Sequence, residues 1–96
     1  MGESARTLNI QELVPPLVER ARKNNWCVQE DHCILRIVYD YACLGDWREQ
    51  VKSPAYKNLN EEQFNRAEGL LISLQTACPE AVELLHLASM KWRGKI

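Results

Sequence analysis

The segment DHCILRIVYDYACL, residues 31–44, constrains the fold of this chain more than any other. From Cys33 to Leu44 every residue is apolar or aromatic except Arg36 and Asp40. Asp31 is placed to cap a helix that runs to about Leu44, where Gly45 would stop it. Wound at 3.6 residues per turn, such a segment is oily around nearly its whole circumference. A helix of that kind needs neighbours on most sides, which predicts a helical domain with residues 32–44 at its centre.

The remaining chain offers those neighbours. In NIQELVPPLVERARKNN, the residues Ile10, Leu13, Val14, Leu17, Val18 and Ala21 form a stripe at helical spacing. Asn9 and Glu12 fit a capping box, whereas Pro15 and Pro16 each lack an N–H and crowd the carbonyl four residues back. A short turn followed by a helix that begins at Pro15 reconciles the two, the alternative being a kink; Asn24 and Asn25 end it. WCVQE is a connector, DWREQVK a short helix or turn cut by Ser53-Pro54, and AYKNL a loop anchored by Tyr56 and Leu59. Asn60 and Gln63 form a second capping box ahead of a helix that gathers Phe64, Ala67, Leu71 and Leu74 on one face, with Leu70 beside them. Pro79 opens a last helix with Glu80 and Glu83 near its positive end; Ala81, Leu84, Leu85, Ala88 and Trp92 are expected inside, and Gly94 stops it.

No stretch alternates at period two for long enough to predict a strand. The expected architecture is all-α: one compact domain of four to five helices over residues 9–96, packed around the central apolar helix, behind a flexible N-terminus at 1–8. Ninety-six residues, 46% of them hydrophobic, suffice for one core without metal or disulfide staples.

Charge and composition narrow the function. Twelve basic against thirteen acidic residues argue against binding driven by neutralising many phosphates. No apolar run reaches the roughly 18–20 residues that span a bilayer, and MGESARTLNI lacks the pattern of a secretory signal; the expected compartment is cytoplasmic. There Cys27, Cys33, Cys43 and Cys78 are expected to be free thiols. CxxC and HxxxH spacings are absent, so no metal site is predicted, and no motif implies a cofactor.

The polar residues of the central helix pose the functional question. His32, Arg36 and Asp40 are four apart and form one column. In the plainer reading the column is a solvated edge with an exposed Arg36–Asp40 pair. In the functional reading it lines a pocket: Arg36 offers a fork of donors to a carboxylate or phosphate, Asp40 orients it, His32 exchanges protons near neutral pH, and Trp47 supplies an apolar wall. That reading predicts a non-catalytic binding module for a partner protein or small anionic ligand, with a homodimer as a further possibility. Two rivals come from other classes. One is a helix-turn-helix DNA binder using residues 46–57, with Arg48, Gln50 and Lys52 toward the duplex. The other is a small cysteine-dependent enzyme using Cys27 and His32. The basic C-terminus around Lys91, Trp92 and Arg93 reads as compensation of the helix dipole, and His86 as a boundary residue.

Overall fold

The computed structural model describes the backbone of residues 2–95, and for residues 2–9, 11 and 56 the backbone alone. Among the described residues there are six helices and no strand: α1 Gly2–Lys23, α2 Asp31–Cys43, α3 Trp47–Gln50, α4 Ala55–Asn58, α5 Glu61–Leu74 and α6 Pro79–Trp92. The radius of gyration, 12.6 Å, matches the ~13 Å of a compact domain of about 100 residues. α2 borders α1, α3, α5 and α6, and α1 also packs on α4 and α5.

The first helix departs from expectation. Rather than beginning at Pro15, α1 runs through both prolines, which places Asn9 inside the helix rather than at its cap. Each interior proline costs ~3 kcal/mol, because an N–H is missing and a carbonyl loses its donor. What holds the helix together is the apolar stripe spanning the prolines. Ile10, Val14, Leu17 and Ala21 are all buried, while both prolines are exposed. From the other side Gln75 Nε2 donates to the Leu13 carbonyl at 3.2 Å. At the far end Asn25 takes the left-handed conformation (φ 57°), which asparagine tolerates better than most residues.

α2 starts at Asp31 with Glu30 as its N-cap, so Asp31 is the first helical residue and not the cap. At the other end the left-handed residue is Leu44, φ 54°, one position before the expected glycine. A Cβ at Gly45 would lie 2.8 Å from Nε2 of the exposed Gln50 side chain, which can swing aside. The Ala42 carbonyl, in the last turn, accepts from Arg66 Nε at 2.8 Å and so ties α2 to α5. The capping box of α5 forms as its sequence implies: Asn60 Oδ1 accepts from the Gln63 N–H at 2.7 Å, and Gln63 Oε1 accepts from the Asn60 N–H at 2.9 Å. Phe64, Ala67, Leu71 and Leu74 are buried beneath it. AYKNL is not a loop: α4 is one helical turn, with Ala55 and Leu59 buried at its ends, whereas the Tyr56 side chain lies outside the described residues.

α6 is rotated relative to the face that its leucines predict. Its buried residues are Val82 and Ser89; of the residues expected inside, Leu84 is 69% exposed and Trp92 is exposed, whereas Ala81, Leu85 and Ala88 are half-buried, with Leu85 against the core. The reason is polar. The inward line of α6 is Val82, His86, Ser89 and Arg93, and its polar members meet the polar column of α2. Gly94, φ 72°, ends the helix as expected.

Candidate functional site

One turn separates Arg36 from Asp40, and the two side chains have different fates. Asp40 is fully buried. Its Oδ2 accepts from Ser89 Oγ at 2.6 Å and from Arg93 Nε at 2.7 Å; its Oδ1 accepts from Arg93 Nη2 at 3.2 Å and from the Trp47 N–H at 3.0 Å. Four donors saturate the carboxylate, which is what a buried anion requires. Asp40 therefore does not orient Arg36, contrary to expectation; it joins α2 to α6 and fixes the start of α3.

Arg36 is instead held by His86, with Nη2 2.7 Å from the imidazole Nδ1. A guanidinium can only donate, so Nδ1 accepts and the imidazole proton sits on Nε2. The contacts Arg36–His86 and Asp40–Ser89/Arg93 step in the same direction along both helices, so α2 and α6 run side by side along a polar seam. His32, at the outer end of the column, is exposed; its Nδ1 lies 3.6 Å from Asp31 Oδ1. The column is thus neither a fully solvated edge nor three convergent groups.

A second carboxylate extends the seam. Asp46 accepts from the Arg48 N–H at 3.1 Å, capping α3, and binds the Arg48 guanidinium through both oxygens at 3.1 and 3.0 Å. Arg93 Nη2 is 3.8 Å from Asp46 Oδ1. These bonds, above all the Arg48 side chain, hold the Asp46 carboxyl below its usual range.

Above the seam is a hollow of about 340 Å³. Cys33, Leu35, Tyr39 and Trp47 form its apolar side; the Tyr39 and Trp47 rings meet edge to face at 5.8 Å. Arg36, Arg48 and Arg93 supply its charge, with His32 at the rim. Arg48 and Arg93 are neutralised by Asp46 and Asp40. Arg36 differs: among the described residues no carboxylate lies within ion-pair distance of it, and its Nε is buried with no hydrogen-bond partner. Its one partner among the described residues is an imidazole whose pKa is pushed below the ordinary histidine value, first by burial and then by the Arg36 charge, with Glu83 opposing. His86 is therefore biased toward its neutral form, and Arg36 has no ion-pair partner among the described residues.

Of the four residues singled out from the sequence, His32, Arg36 and Trp47 border this hollow, and Asp40 lies beneath it. Sequence reasoning missed His86, Ser89, Arg93 and Asp46. The available signal was a polar line at i, i+3 and i+7 in α6, the counterpart of the column in α2.

A larger hollow, about 570 Å³, lies between α1 and the start of α2, with Ile10, Val14 and Val18 on one side. Its one cation, Arg22, faces Glu30 at 3.7 Å, and Asp31 adds a second carboxylate, so it offers no surplus positive charge. In residues 46–57, α3 and α4 have four residues each and Arg48 is bound to Asp46, which leaves no helix of recognition length there. Burial pushes the Cys27 thiol up, with Glu83 adding to it and Arg36 opposing, the reverse of an activated nucleophile. The described residues contain no group of three or more His, Cys, Asp or Glu suited to a metal, and no helix long and apolar enough to cross a membrane. No protein family, curated protein or solved structure matches the chain.

Proposed function

We propose that the protein is a non-catalytic binding module that captures an anionic group, either an acidic side chain of a partner protein or a small anionic ligand, in the hollow at Arg36. A single observation carries this reading. Three arginines border the hollow, two are matched by buried carboxylates, and the third is half-buried opposite an imidazole biased toward its neutral form. A guanidinium withdrawn from water without a counter-ion gains more from an incoming carboxylate, sulfonate or phosphate than one already paired. The apolar side at Leu35, Tyr39 and Trp47 favours an anion with a flat or apolar body over a bare inorganic ion.

The test uses benzenesulfonate, a permanently charged aryl anion, titrated into the ¹⁵N-labelled protein. The chain has three tryptophans. The expected result is a saturable shift of the Trp47 indole signal, with those of Trp26 and Trp92 unmoved, and loss of that shift in Arg36→Ala while the fold persists. Equal shifts at all three indoles, or an undiminished Trp47 shift in Arg36→Ala, would reject the site.

A further inference from the structure

We infer that the Arg36 site takes up its anion together with a proton on His86, so that anion affinity rises as the solution becomes more acidic. The inference rests on the anion-binding reading above and adds its regulation.

The geometry supplies the coupling. Arg36 Nη2 and His86 Nδ1 are 2.7 Å apart, and that bond exists only while the imidazole accepts. Among the described residues two charged groups face His86: Arg36 from α2, which disfavours the imidazolium, and Glu83 on its own helix, which favours it. The Cys27 thiol feels the same two charges, but it is itself pushed toward the neutral form. In the empty site burial and Arg36 prevail over Glu83 and bias the ring toward its neutral form.

An anion seated on the guanidinium cancels the repulsion from Arg36 while Glu83 remains. The occupied site therefore tolerates the imidazolium better than the empty one. Once protonated, Nδ1 becomes a donor, and Arg36 and His86 then present donors with no acceptor between them, an arrangement that an anionic oxygen completes. Linkage is reciprocal: if the anion favours the proton, the proton favours the anion by the same factor. His32, at the rim of the hollow, is the other histidine, but it is exposed and does not touch Arg36.

The measurement is benzenesulfonate affinity from about pH 8 to about pH 5.5, across the ordinary range of histidine titration, with the two histidines followed by NMR. The probe keeps its charge throughout. The wild type is expected to bind on the order of fivefold more tightly at the acidic end, the low end of ordinary site-to-site coupling, and saturation should raise the His86 pKa. His86→Gln keeps an acceptor oxygen for Arg36 but cannot titrate, so its affinity should be flat over that range. His32→Gln should keep most of the wild-type slope. An unchanged slope in His86→Gln, its loss in His32→Gln, or a His86 pKa indifferent to the probe would overturn the inference. Binding that is pH-independent yet lost in Arg36→Ala would overturn the inference alone. No binding by the wild type at any pH would overturn the anion-binding reading as well.

Discussion

Arg36 and Asp40 show how little residue type says about role. Both belong to one column of one helix, yet the carboxylate is sealed in by four donors and the guanidinium borders a hollow with surplus charge. Asp40 is thus a structural anion. Asp40→Ala leaves Arg93, only 9% exposed, without its main counter-ion, and should cost ~3–5 kcal/mol, the usual penalty for breaking a buried pair from one side. Denaturant unfolding checks this; a loss under ~1 kcal/mol would mean that the seam is not what holds α6 in place. Leu44 predicts the opposite sign. Its left-handed backbone is strained by ~1 kcal/mol or more for a residue with a Cβ, and at 60% exposure its side chain gives little packing in return. Leu44→Gly should therefore stabilise the protein by about 0.5–1 kcal/mol in the same assay.

At the scale of elements, legibility followed the kind of signal. The α5 capping box and the proline start and glycine stop of α6 are local chemistry, and local sequence suffices to read them. The path of α1 is not local. Pro15 and Pro16 argue for a break on every short-range rule, and the decision lies with a buried stripe that packs on distant helices. The rotation of α6 is not local either: placing its leucines inward assumes that apolar burial sets it. Here Asp40 on α2 needs Ser89 and Arg93, and meeting that need turns Leu84 outward, while Leu85 keeps partial contact with the core. Leu84→Gln should accordingly change stability by less than ~0.5 kcal/mol, while Ser89→Ala, which removes a buried donor to Asp40, should cost ~1–3 kcal/mol. Had the leucines faced the core, the larger loss would fall on Leu84.

Across the whole molecule, the all-α architecture followed from one segment, because a helix oily on nearly every side needs surrounding helices whatever their details. The site was only half legible. His32, Arg36 and Trp47 could be named from spacing on and beside one helix, but the partners of Arg36 and Asp40 come from residues about 50 positions away, and no periodicity links them. The seam also gives stability a pH signature. With its pKa below the ordinary ~6.5 in the folded state, His86 binds its proton more readily in the unfolded chain. Its contribution is complete above ~6.5 and declines as pH falls from there toward the folded-state value. Unfolding curves at neutral and mildly acidic pH should show that decline in the wild type and a smaller one in His86→Gln. The most direct test of the functional account is calorimetric titration of benzenesulfonate into the wild type, Arg36→Lys and Arg36→Ala at neutral pH. Saturable binding that weakens in Arg36→Lys and disappears in Arg36→Ala, with each variant still unfolding cooperatively, is the predicted result. Equal affinity in all three proteins would contradict it.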